Sequence, residues 1–207
     1  MLIQLPIGLL QSNCYLVYDA ESRAGAVIDP SGDVTPLLDQ IREHALDIRY
    51  ILNTHGHFDH IGANAQLTEM FNAPLGLHPA DRALLDLGGG APWYNLPYIP
   101  SPEPALALED ETTLELGALR IQVIHTPGHT PGSVCFYIPA ETNLITGDTL
   151  FAGSVGRTDL PGGDARTLTR SLRRLLMLPD NTNIYPGHGP ASTLAEEKRH
   201  NPWVRRL

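Results

Sequence analysis

Arg49-Tyr50-Ile51-Leu52-Asn53 runs straight into Thr54-His55-Gly56-His57-Phe58-Asp59-His60. A short apolar run of this kind reads as a buried strand. Four ligand-type side chains leave its end within six residues, as in a tight loop aimed at one pocket. Neutral imidazoles suit zinc, iron or manganese, and a carboxylate adds a hard oxygen donor with a negative charge. Gly56 is expected to bend the backbone so that the flanking imidazoles do not collide.

Three later segments repeat this grammar of apolar run, glycine or proline, then ligand. They are Thr126-Pro127-Gly128-His129-Thr130-Pro131-Gly132, Leu144-Ile145-Thr146-Gly147-Asp148 and Tyr185-Pro186-Gly187-His188-Gly189. Any one alone is an ordinary turn, but four ligand-bearing loops in one chain point to a metal centre built at strand ends. The metal-ligand candidates are His55, His57, Asp59, His60, His129, Asp148 and His188. His44, His78, His125 and His200 lack this context; His125 alone is close enough in sequence to support the centre from behind.

Around these segments, runs at 2–9, 14–18 and 24–29 read as successive antiparallel strands. A helix is expected over 33–47, with Leu37, Leu38, Ile41 and Leu46 as its apolar stripe. Another is expected over 61–72, then a strand at 75–78 and a helical turn at 79–87. Strands near 112–116, 119–125, 133–138 and 143–147, a helix over 164–178, a strand at 183–185 and a helix from about 193 complete the chain. Residues 88–104 hold three glycines and five prolines around Trp93, Tyr94 and Tyr98. A stretch of that length is either a lid over the site or a packed surface loop. The mixed order predicts an α/β (α+β) fold, sheets covered by helices, in a single domain over 1–207.

A formal net charge of −9 disfavours a nucleic-acid partner. Arg166, Arg170, Arg173 and Arg174 read as one solvated helix face. Cys14 and Cys135 lie in apolar contexts without CxxC spacing, so both are expected as buried small residues in a reducing, cytoplasmic setting. No stretch approaches the roughly 18 apolar residues of a membrane span, and no membrane partner is expected.

The order His55-x-His57-x-Asp59-His60, then His129, Asp148 and His188, resembles the metallo-β-lactamase superfamily over nearly the whole chain. The resemblance implies a four-layer αββα sandwich with the site along one edge of the two sheets. It implies one metal on His55, His57 and His129, a second on Asp59, His60 and His188, and Asp148 bridging both. Gly147-Asp148-Thr149-Leu150-Phe151, Gly153-Ser154-Val155-Gly156-Arg157-Thr158-Asp159, Asn13-Cys14-Tyr15-Leu16-Val17 and Asn201-Pro202 are similar to the small, single-domain glyoxalase II-like (hydroxyacylglutathione hydrolase-like) group.

That likeness implies a thioesterase acting on a small molecule such as S-lactoylglutathione. Its cofactor would be two divalent ions, zinc first, with iron or manganese as alternatives, sharing a hydroxide. Asp59 would orient the nucleophile as well as bind metal, and is the catalytic candidate. A thiolate leaving group, pKa near ~8.5, needs little acid assistance. Arg157 stands where two-domain glyoxalase II enzymes carry lysine; it is a candidate to hold a substrate carboxylate, against a salt bridge to Asp159 or Asp164. The tyrosine that follows the last histidine in those enzymes has no counterpart in Gly189-Pro190-Ala191, and no separate C-terminal substrate domain is expected.

Persulfide dioxygenases resemble the same motif, with one iron on residues matching His55, His129 and Asp148; the intact His188 segment favours two metals. A lactonase on the same site stays open. Antibiotic hydrolysis is disfavoured because secreted zinc β-lactamases often carry cysteine where Asp148 stands. A metal-stabilised binding protein without turnover is disfavoured by seven His/Asp candidates and no cysteine, since structural zinc sites are closed and commonly cysteine-rich.

Overall fold

Side chains along β2 (Ser12–Tyr18) alternate between two apolar layers, and that period of two is the plan of the molecule. Tyr15 and Val17 join a core that also holds Leu52, Phe136 and Ile145, while Cys14, Leu16 and Tyr18 join a second core with Leu37, Ile51 and Leu67. The computed structural model describes residues 1–207.

The first sheet runs in chain order: β1 (Leu2–Ile7), β2, β3 (Ala24–Ile28), β4 (Asp47–Leu52), β5 (Leu75–Leu77) and β6 (Leu106–Ala107). Its first three strands are antiparallel, and β3, β4, β5 and β6 are parallel neighbours. Helix α1 (Thr35–Glu43) lies between β3 and β4 in the chain; α2 (Phe58–Ile61) and α3 (Asn64–Phe71) lie between β4 and β5. Leu37 and Ile41 of α1 and Leu67 of α3 close the outer core of this sheet. The short α4 (Arg82–Asp86) follows β5.

The second sheet contains β7 (Thr113–Leu116), β8 (Leu119–His125), β9 (Val134–Ile138), β10 (Asn143–Gly147), β13 (Asn183–Pro186) and β14 (Ser192–Thr193), with β14 and β7 at its edges. A small hairpin, β11 (Leu150–Phe151) with β12 (Ser154–Val155), stands apart. Helices α5 (Ala165–Leu175) and α6 (Leu194–His200) cover the outer face through Leu168, Leu172, Leu175 and Leu194, against Cys135, Leu144 and Ile184. The layers are therefore α, β, β, α, with the largest core between the sheets. No helix is long and apolar enough to cross a membrane.

Several expectations shift in detail. β1 ends at Ile7, where Gly8 turns at φ +78°. The helix expected over 33–47 is only Thr35–Glu43, and Ala45 at φ +49° follows its end. Residues 88–94 form 3₁₀ turns within the stretch read as irregular. The ligand-rich motif is not all loop: Asp59 and His60 lie on α2, whose first turn His60 N–H closes on His57 O at 3.0 Å. The imidazoles flanking Gly56 lie edge-on, with ring centroids 4.9 Å apart. Gly56 has no positive φ, and a methyl there would meet only ordinary contacts. What its position supplies is an N–H donor to Asp81.

Candidate metal centre

The ligand-bearing turns after β4, β8, β10 and β13 meet at one edge of the sandwich. Ligand-type atoms of His55, His57 and His129 lie within 4.8 Å of one another, as do those of Asp59, His60 and His188. Asp148 spans the two sets: Oδ2 is 3.5 Å from His129 Nε2 and 3.7 Å from His188 Nε2, and Oδ1 is 3.6 Å from His60 Nε2. All seven sequence candidates thus converge. Gly187 makes this approach possible, since a methyl there would overlap Asp148 Oδ1.

Hydrogen bonds behind the rings fix which nitrogen faces the centre. His129 Nδ1 is 2.8 Å from the Arg157 carbonyl, so it must be the donor, leaving the Nε2 lone pair inward. His60 Nδ1 faces Asp29 Oδ2 at 3.0 Å, with the same consequence. Thr54 Oγ1 donates to Asp29 Oδ2 at 2.6 Å, so it accepts from His55 Nδ1 at 3.0 Å, and His55 Nε2 also turns inward. His57 Nδ1 lies 2.9 Å from His129 Nε2. Such supporting partners orient a ligand ring and raise its basicity.

Of the five buried side-chain polar atoms without a hydrogen-bond partner, four belong here: His55 Nε2, His57 Nε2, His60 Nε2 and Asp148 Oδ1. Buried polar atoms are normally paired. A convergent set of lone pairs and carboxylates left so fits a divalent cation, and its nitrogen and oxygen donors suit zinc, iron or manganese.

The two sets differ in charge. Burial, reinforced by neighbouring imidazoles, pushes the His55 and His57 rings down, His57 to about 3. For His60, burial is outweighed by Asp59, Asp29 and Asp148, and its pKa rises well above the usual value. His188 also rises, because its hydrogen bond to Asp59 and the charge of Asp148 outweigh its partial burial. Burial opposes ionisation of Asp59, yet His60 and the hydrogen bond from His188 hold it well below the usual carboxylate range.

Two buried carboxylates escaped the sequence reading. Asp29 accepts from Thr54 N–H, Thr54 Oγ1 and His60 Nδ1, so it stands behind the imidazoles with both oxygens engaged. A partial signal was available: Asp29 directly follows the apolar run of β3 and precedes Pro30. Asp81 accepts from Gly56 N–H, Thr130 Oγ1 and Gly132 N–H, tying the His55–His57 turn to the His129 turn. It lies in an ordinary helical turn and carried no signal. From the other side, Asn13 holds the His188 turn through Pro186 O and Gly189 O, and Ser12 Oγ donates to Asp59 Oδ2 at 3.0 Å.

A cleft of about 370 Å³ opens above the cluster. Gly89, Trp93, Tyr94 and Leu96 of the 88–104 stretch wall it, together with Leu160 and Arg157. The Arg157 guanidinium makes two 2.7 Å bonds to Asp159, so the expected intramolecular pair exists while the side chain still borders the cleft. His125 lies elsewhere, stacked on His78 at 4.0 Å and bound to Pro131 O.

Residues 7–188 match the metallo-beta-lactamase superfamily. A Haemophilus influenzae protein named hydroxyacylglutathione hydrolase GloC is 39% identical over 204 residues, 97% of this chain and 96% of that one. The structure of BLEG-1, described as a B3 metallo-beta-lactamase, is 38% identical with a TM-score of 0.92, covering 99% of each chain. That of TTHA1623 in a di-iron-bound form is 42% identical with a TM-score of 0.89, covering 97% of this chain and 99% of that one. Fold, order of the converging residues and these likenesses agree: the chain belongs to the metallo-β-lactamase superfamily.

Proposed function

We propose that this chain is a binuclear metal-dependent hydrolase that cleaves a thioester of the acylglutathione type. One observation carries the reading: two three-residue sets of inward-facing donors lie side by side, with the Asp148 carboxylate reaching both. His55, His57 and His129 would hold one ion, and Asp59, His60 and His188 the other. A pair of divalent ions so held supplies Lewis acidity and a nucleophilic water at neutral pH. The relative solved in a di-iron-bound form supports a count of two, and supports iron as an alternative to zinc.

The chain's own residues divide the remaining work. Asp59, kept ionised by His60 and His188, is the carboxylate that orients a water beneath the cleft. Phe58, Trp93, Tyr94 and Leu96 exclude bulk water from the carbonyl. Water oxygen bonds to the carbonyl carbon, the carbon–sulfur bond breaks, and acid and thiol leave. A thiolate departs near neutral pH without a strong proton donor. No lysine or tyrosine lines the cleft as such a donor beyond Tyr94 at its rim, which supports a thioester over an amide.

The test pairs elemental analysis of the purified protein with S-lactoylglutathione cleavage. About two ions per chain and turnover abolished in His57→Ala support the reading. About one iron per chain, no cleavage, and oxygen uptake with glutathione persulfide sink it in favour of a dioxygenase. Hydrolysis confined to a chromogenic β-lactam sinks it in favour of the activity in the BLEG-1 description.

A further inference from the structure

Beside the cleft lies a second cavity of about 550 Å³ that shares Phe58, Asp59 and Leu96 with it. Leu9, Ile61, Tyr98 and Ile99 supply most of its remaining apolar wall. Leu9 is 75% exposed, Ile99 66% and Tyr98 46%, a concentration of bare hydrocarbon unusual beside a polar centre. Solvent-facing apolar surface of this kind, continuous with a reactive site, marks where a ligand is covered.

The charges point the same way. Asp59 is the sole charged residue along the second cavity, with no lysine or arginine there. The sole lysine or arginine of the first is Arg157, which does not line the second cavity and is paired with Asp159. A carboxylate-bearing portion of a substrate finds no cationic side chain along the second cavity; Arg157 is the only one bordering the first.

The wall is also fixed in place. Gly89 sits at φ +63° where a methyl would overlap the backbone nitrogen of Phe58, so the 88–99 strap rests directly on the ligand-bearing turn. At its other end Asn64 Nδ2 donates to Ser101 Oγ at 3.1 Å, and the Asn64 amide pairs with Asn53, which itself donates to His60 O. Arg82 pairs with Glu103 beyond that. These ties make a standing wall rather than a flap.

We infer that the acyl group of the substrate is apolar: a medium-length hydrocarbon chain lies in the trough between the Gly8–Gln11 turn and strap residues 96–99, while the thiol carrier extends toward Arg157. This deepens the thioesterase reading and rests on it. The reaction is unchanged, with water in and a carboxylic acid and thiol out; selection among acyl groups is what the trough adds.

The test is kcat/KM for S-acetyl-, S-butyryl-, S-hexanoyl- and S-octanoylglutathione on the metal-loaded protein, beside S-lactoylglutathione. A constant carrier isolates the chain. The expected rise is about fourfold per buried methylene, and at least about a hundredfold from acetyl to octanoyl. Leu9→Ser and Ile99→Ser, both at exposed positions, should flatten that slope. A flat or falling series, or lactoyl preferred to hexanoyl, overturns the inference while leaving the thioesterase reading intact. Should no S-acylglutathione be turned over, the thioesterase reading falls, and calorimetry with S-methyl- to S-octylglutathione decides the trough. Affinity that climbs with chain length keeps it as an apolar-chain site, and equal affinities overturn it.

Discussion

The two halves of the centre are built from opposite materials. His55, His57 and His129 are almost wholly buried, and the first two are pushed toward neutrality by burial. Asp59, His60 and His188 combine a carboxylate held ionised with imidazoles raised by surrounding acids, and His188 is only partly buried. Asp81 braces the turns of the first half; Asp29 bonds His60 of the second directly and reaches His55 only through Thr54. One half is thus prepared by dehydration, the other by charge. Two ions of the same kind would then meet sites of different proton content and different access.

The largest test of this contrast is to remove what the halves share. Asp148→Ala should weaken both ions and cut thioester turnover by more than about a hundredfold, taking the loss on removing an outer partner as the floor. Two tight ions and more than a tenth of turnover in that variant would show the halves to be independent. Next, Asp81→Asn and Asp29→Asn should each cost about 10–100-fold in metal affinity. Stepwise calorimetric titration should place the greater loss on the first half for Asp81 and on the second for Asp29. Equal losses at both ions would erase the distinction.

Proton content gives a smaller, graded test. His188 is raised above its usual value, so its proton must leave when an ion binds, and affinity of the second half declines as pH falls through that raised value. His60 is raised as well, so the slope lies between about tenfold per pH unit for one displaced proton and about a hundredfold for two. His57, lowered to about 3, has no proton to displace until the solution is far more acidic. Protein equilibrated from pH 8 down to pH 5 should therefore pass from two ions per chain to one; loss of both together contradicts the contrast. Smallest is Ser12→Ala, which removes one donor to Asp59 and should weaken only the second ion, by less than about tenfold, in the same titration.

Much of this was legible before the structure because ligand turns obey local rules. An apolar strand followed by glycine or proline and a histidine or aspartate is visible at four places in the chain, and all seven resulting candidates meet. Strands such as β2 and β9, buried on both faces, were legible as short apolar runs, while the four-layer sandwich came from the family resemblance. What escaped depends on distance in sequence. Asp81 supports turns 25 and 51 residues away, and no pattern around Pro79-Ala80-Asp81 announces that. The strap was legible only as long and irregular. Its contact with Phe58 depends on Gly89 being folded back onto the turn, a tertiary fact. Short pairings such as β6, β11 with β12, and β14 have too few residues to show a period.

The stitching of β2 to the His188 turn also bears on the order in which the molecule is made. Asn13 N–H and side chain, together with the Tyr15 hydroxyl, bind Gly187 O, Pro186 O and Gly189 O. During synthesis the first half still lacks Asp148, and the Arg157 carbonyl that orients His129, when His129 itself has been made. The second half, and the docking partner of β2, arrive only with His188. Neither half can therefore reach its final geometry until most of the chain is present, and the β2 stitch ties the first strands to the last ligand turn.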